Sequence, residues 1–108
     1  MQANEYQKQT SNTAIYPGAD TGDNRELVYL ALGLTSEAGE VASNIKKLIR
    51  DGQYKPGDLA YELGDVCWYV ARLAWAIGYD FSDLLKLNNA KLTKRKEAGT
   101  LKGSGDSR

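Results

Sequence analysis

Four carboxylates stand out by type and spacing: Glu37 and Glu40, then Glu62 and Asp65, each pair separated by three positions. On a helix, residues three apart share a face, so each pair sets two oxygen-rich groups side by side. If two such helices pack antiparallel, four carboxylates converge. Like charges in one place repel unless a cation neutralises them or some take up a proton. The chain has no histidine and a single cysteine, Cys67. Histidine-dependent triads and dyads, and His-based zinc or di-iron sites, are therefore excluded, and acid–base or metal chemistry must run on carboxylates. Oxygen-only ligation suits a hard ion, Mg²⁺, with Mn²⁺ as the alternative. The competing reading makes each pair a solvated helix surface, the common fate of such acids. Against it stands the occurrence of two pairs on consecutive helices, both at the edge of an apolar face. Gly39 and Gly64 lie beside the acids. A mid-helix glycine costs about 1 kcal/mol against alanine, so their presence implies close helix approach.

The elements that must position these groups follow from apolar periodicity. A short polar helix is expected from Asn4 to Ala14, ended by Pro17-Gly18. From Asn24 to Arg50, Leu27, Leu30, Leu34, Val41, Ile45 and Leu48 recur at helical intervals, with Gly33, Glu37, Glu40, Asn44 and Lys47 along one edge. After the break at Asp51-Gly52 and Lys55-Pro56-Gly57, Asp58 to Ile77 repeats the pattern through Leu63, Val66, Val70, Leu73 and Ile77. Its edge carries Glu62, Asp65, Tyr69 and Arg72. Gly78 and Asp80 mark the next boundary, and Phe81 to Lys96 carries a stripe of Phe81, Leu84, Leu85 and Leu92. No segment alternates with period two. The expected fold is all-α, a four-helix-type bundle, with residues 1–98 forming the helical domain and 99–108 a Gly-rich C-terminal tail.

The chain has 108 residues, enough for one domain. At that size a monomer is marginally stable, so an oligomer, a homodimer or homotetramer, is expected. Trp68 and Trp75 lie off the main apolar arc of their helix and are assigned to such an interface. Lys plus Arg equals Asp plus Glu at 14 each, so no nucleic-acid partner is expected. Acids dominate from Glu26 to Asp65 and bases from Lys86 to Lys102, which fits a cation site beside an anion-holding segment or merely solvated faces. The chain has no apolar run of membrane-spanning length and a polar start, so no membrane partner is expected and the cytoplasm is the default location. A single cysteine fits that reducing compartment.

The run Gly33-Leu34-Thr35-Ser36-Glu37-Ala38-Gly39-Glu40-Val41, then Ile45-Lys46-Lys47, then Glu62-Leu63-Gly64-Asp65-Val66, resembles the signature of MazG-like nucleoside triphosphate pyrophosphohydrolases. Tyr6-Gln7, Thr13 to Tyr16, Trp68-Tyr69, Asn88 to Leu92 with Arg95, and Gly99 to Asp106 resemble its flanks and the tail of a compact form. The resemblance implies that Glu37, Glu40, Glu62 and Asp65 ligate Mg²⁺ and position an attacking water. A nucleoside triphosphate would then yield monophosphate and pyrophosphate, in nucleotide-pool control or house-cleaning. Ser36 stands where the longer family pattern has a further acid, which puts the number of metal ions in doubt. Lys47, on the wheel edge of Glu37 and Glu40, is assigned to phosphate, with a solvated lysine as the alternative. Asn88 falls inside an apolar stripe, where a buried amide needs partners. With Lys91 and Arg95 it is given a substrate-side role.

Two other functions compete. Phosphoribosyl-ATP pyrophosphohydrolase shares the acidic logic, and a non-catalytic helical homo-oligomeric interaction module would keep the fold without the chemistry. Asn88, Tyr6, Tyr16, Tyr61 and Tyr69 are all candidates to meet a base, whose identity stays open. For the tail, Arg108 closing over a bound triphosphate is set against a frayed end with incidental charge.

Overall fold

The computed structural model describes residues 1–108 and contains helices and no strand. Helix α1 spans Ala3–Thr10 and runs into a 3-10 turn, Ser11–Thr13. Helix α2 spans Asn24–Asp51, α3 Pro56–Ala76 and α4 Phe81–Ala98. The first helix stops earlier than its periodicity implied, because the Thr10 and Thr13 hydroxyls fold back onto the carbonyls of Gln7 and Thr10. No helix is long and apolar enough to cross a membrane.

The ends of α2 follow local chemistry. The Asp23 carboxylate accepts from the Glu26 backbone N–H at 3.1 Å, an N-cap. At the other end Gly52 takes a left-handed φ of 78° and donates to the Leu48 carbonyl. Pro56 opens α3, where its missing N–H is no loss, two positions ahead of the Asp58 start read from the sequence. The short connection, residues 52–55, folds α2 and α3 into an antiparallel hairpin.

Helix α1 braces the corner between α3 and α4. Gln7, 1% exposed, donates to the Ala71 and Tyr79 carbonyls and accepts from the Phe81 N–H. Asn4 accepts from the Ser82 N–H at 2.9 Å. The first free amides of α4 are thus capped by α1, while Asp80 at the N-cap position makes no side-chain cap.

Close approach within the hairpin is achieved at Gly33. A Cβ there would sit 2.1 Å from the Tyr69 ring. Gly39 and Gly64, expected to serve this purpose, face open space. The correction has a simple cause: a mid-helix glycine marks crowding only when a bulky neighbour points at it, and Tyr69 points at Gly33.

The core of one chain is small and polar. Only nine residues are buried, four of them apolar (Tyr16, Leu30, Ala71 and Ala74). Ile45, Leu48, Leu63, Ile77, Leu85 and Leu92, all assigned to core stripes, are exposed. The radius of gyration is 16.4 Å, against about 13 Å for a compact chain of this length. The accessible surface is 7652 Å², against roughly 5,900 Å² for a folded monomer of this mass.

Candidate metal centre

The hairpin register brings the acids together. With Gly33 against Tyr69, one turn further along α2 and one turn back along α3 sets Glu37 level with Asp65. Carboxylate oxygens of Glu37, Glu62 and Asp65 lie within 4.8 Å of one another. Glu37 and Glu62 are half-buried and Asp65 is exposed. Burial pushes the Glu37 carboxyl above its ordinary range, and the neighbouring charges of Asp65, Glu62 and Glu40 add to the effect. Glu40, one turn along α2 and exposed, stands outside the trio but close enough to be felt by it.

A cleft of about 390 Å³ opens on this cluster, lined by Glu37, Asp65, Thr13, Trp68 and Tyr69. An apolar hollow of about 590 Å³ adjoins it, sharing Asp65 and Trp68 and adding Tyr6, Tyr61, Gly57, Ala60 and Gly64. Trp68 divides the two. Its indole N–H donates to Thr13 Oγ1 at 2.8 Å, and its ring meets Tyr69 and Tyr16 edge-on at 5.0 and 6.0 Å. Trp68 is thus half-buried by contacts within its own chain. Trp75 is 41% exposed, with the Arg72 guanidinium 5.8 Å from its ring centre.

The segment between α1 and α2 is a strap fastened by buried charge. Glu26, 1% exposed, accepts from the Tyr16 hydroxyl at 2.6 Å and from the Asp20 and Gly22 amides at 2.7 and 2.8 Å. Burial, then the Glu26 hydrogen bond, pushes the Tyr16 phenol up to about 12. Arg72, fully buried, donates to Asp20 at 2.6 Å and to the Ser11 hydroxyl at 3.1 Å. Burial disfavours its charge, but the contacts with Tyr16 and Asp20 outweigh that. Arg72 read in the sequence as an edge neighbour of Asp65; it is instead the bolt that ties Thr10 and Ser11 to Asp20 of the strap. Glu26 read only as the first acid of the stretch from Glu26 to Asp65. The signal for both was weak: the Arg72 partners lie more than fifty positions away, and those of Glu26 are a phenol and two backbone amides of an irregular loop.

The remaining site candidates lie elsewhere on the chain. Lys47 is half-buried and lines a polar hollow of about 230 Å³ at the α2–α3 turn, with Asn44, Lys55, Asp51 and Asp58 among its neighbours. Asn88 is exposed, beside Val70, Leu84 and Lys91 in an open groove. The buried amide inferred from the α4 stripe is absent because this chain covers the stripe only in part: Phe81 and Leu84 are half-buried, and Leu85 and Leu92 are exposed. Lys91 and Arg95 both bind Asp106, at 3.2 and 3.1 Å. The tail is turned back rather than frayed: Arg108 donates to the Thr100, Leu101 and Gly105 carbonyls. Its guanidinium is here engaged by the tail's own backbone.

An all-helical chain with a cluster of three carboxylates, able to hold a cation, on an antiparallel hairpin is the class that fold and site define. Within that class the chain belongs to the MazG nucleotide pyrophosphohydrolase domain family, whose model matches residues 26–100. It is 46% identical over 114 residues to the Gene 37 protein of Mycobacterium phage L5, with 100% of each chain covered. No solved structure is significantly similar.

Proposed function

We propose that this protein hydrolyses nucleoside triphosphates between the α and β phosphates, releasing a nucleoside monophosphate and pyrophosphate. The observation that carries this reading is the convergence of Glu37, Glu62 and Asp65 within 4.8 Å, inside a MazG domain. The donor set fits Mg²⁺: it is all oxygen, and the upward push on Glu37 is the strain that a divalent cation relieves. Bound there, Mg²⁺ would supply charge neutralisation for the polyphosphate and for the pyrophosphate leaving group.

The chain's own groups account for the rest. Glu37, Glu62 and Asp65 would hold the cation, and Glu40 beside them is assigned to accept a proton from the attacking water. The water oxygen bonds to the α-phosphorus, the bridging P–O bond to the β-phosphate breaks, and pyrophosphate leaves with the electron pair. Trp68 and Tyr69 wall the cleft, and the aromatic hollow beyond Trp68 has the size and apolar character to take a base. Lys91 and Arg95 are assigned to phosphate, and Asn88 and Lys47 to the substrate's periphery.

The working unit is a homodimer or a larger homo-oligomer. Each chain exposes roughly 1,700 Å² more than a compact monomer of its mass, and a dimer covering that excess falls in the range of obligate interfaces. Such a partner also closes the groove beside Asn88 and the exposed stripe of α4. The exposed thiol of Cys67 suits a reducing, cytoplasmic setting.

The test is turnover of the common ribo- and deoxyribonucleoside triphosphates with and without Mg²⁺. Pyrophosphate release that needs the metal and is abolished in Asp65→Ala, with helical circular dichroism intact, supports the reading. A folded protein inactive on the whole panel contradicts it and leaves the phosphoribosyl-ATP pyrophosphohydrolase and the non-catalytic module.

A further inference from the structure

Arg95 is 5% exposed, an unusual depth for a cation near the end of a small chain. Its Nη2 donates to Asp106 Oδ1 at 3.1 Å and to the Gly105 carbonyl at 3.3 Å, while its buried Nε has no partner. The same Asp106 oxygen also accepts from Lys91 Nζ at 3.2 Å. One carboxylate oxygen therefore sits between two cations and leaves a buried guanidinium donor unused. A bidentate carboxylate or a phosphate, with more oxygens, would use it. The Asp106 side chain is 88% exposed, so its ion pairs are weakened by solvent and cheap to break. Arg95 keeps its place when they break, because the Gly105 carbonyl holds the same nitrogen. The Arg108 contacts to Thr100, Leu101 and Gly105 keep that carbonyl in position.

We propose that Asp106 is a built-in occupant of an anion seat formed by Lys91 and Arg95, and that a polyphosphate anion displaces it. The inference rests on the phosphate role assigned above to those two cations and adds a regulatory contact to it. A carboxylate with one negative charge yields to a polyphosphate with several, but it keeps the seat closed to weaker anions such as chloride or a single carboxylate. The binding energy of the substrate is thereby spent partly on exchange, which favours polyphosphates over smaller anions.

The experiment is calorimetric titration of the full chain in Mg²⁺ buffer with imidodiphosphate, a non-hydrolysable pyrophosphate analogue, combined with amide hydrogen exchange over residues 100–108. Asp106→Asn should bind the analogue roughly two- to tenfold more tightly, the scale of two exposed ion pairs. Lys91→Ala should bind it more weakly. In the unsubstituted protein the analogue should speed exchange around Asp106, since the residue is released. Unchanged or weaker binding by Asp106→Asn, with Lys91→Ala still weakened, overturns the proposal and makes Asp106 a holder of the cations. Slower exchange on binding also overturns it, because the tail would then be closing on the ligand. Lys91→Ala binding as tightly as the parent removes the phosphate role itself, a failure distinct from the other two.

Discussion

Without a cation, the cluster that would hold one is a source of instability, and its cost can be measured. Two unit charges 4.8 Å apart, the span of the trio, repel by about 3.5 kcal/mol at an effective dielectric near 20 and about 0.9 kcal/mol in bulk water. Asp65 is exposed and the two glutamates are half-buried, so the lower figure is the better guide. Glu62 faces two neighbours, so Glu62→Gln should relieve about 1–2 kcal/mol in metal-free protein. For a chain of this size each kcal/mol shifts Tm by roughly 4–8 °C. Thermal melts in EDTA at fixed protein concentration should therefore place Glu62→Gln several degrees above the parent. In Mg²⁺ the order should narrow or invert, because the parent gains ligand stabilisation that the variant lacks. The sign with pH follows from Glu37, whose carboxyl is raised in the folded state. Protonation stabilises the folded form, so the EDTA difference should shrink as pH falls through the carboxylate range. A Glu62→Gln protein that melts at or below the parent in EDTA refutes the reasoning: the acids would then not be crowded in solution.

Three further expectations follow from named contacts. Gly33→Ala should destabilise by about 1–3 kcal/mol through the clash with Tyr69, whereas Gly39→Ala, facing open space, should be neutral or stabilising by up to about 1 kcal/mol; urea midpoints separate the two. The Tyr16 phenol is raised from 10.0 to about 12, so the stability it contributes, about 2–3 kcal/mol at most, is intact below pH 10 and lost as pH rises towards 12. Melts from pH 9 to 12 should show that loss in the parent and a smaller one in Tyr16→Phe. Sedimentation at micromolar concentration should give a dimer or larger species, and a monomer mass would contradict the interface inferred from the excess exposed surface.

The helices and the acid pairs were legible because both obey the 3.6-residue period, which needs no partner to be seen. Which face each stripe buries was not legible: Leu85 and Leu92 of α4 and Leu48 of α2 are as apolar as core residues, yet one chain leaves them exposed. Periodicity reports that a face wants covering, not whether the same chain covers it. Asn88 was misplaced by the same inference. The buried roles of Arg72, Glu26 and Gln7 were not legible for a different reason. Gln7 and Arg72 are polar residues buried by partners more than fifty positions away, and Glu26 by a loop that folds back over it from four to ten positions upstream; no local pattern marks such bonds in advance. Glu40 fits its pair in the sequence yet stays outside the trio, since helix spacing sets a side chain's face but not how far it reaches into the cleft.

The most direct test of the central claim is hydrolysis of a nucleoside triphosphate in ¹⁸O-labelled water with Mg²⁺, read by mass spectrometry of both products. Attack at the α-phosphorus, with the proton passing to the cluster around Glu37, Glu40, Glu62 and Asp65, puts the label in the monophosphate and leaves pyrophosphate unlabelled. Label in the pyrophosphate, or release of orthophosphate with a nucleoside diphosphate, would contradict it.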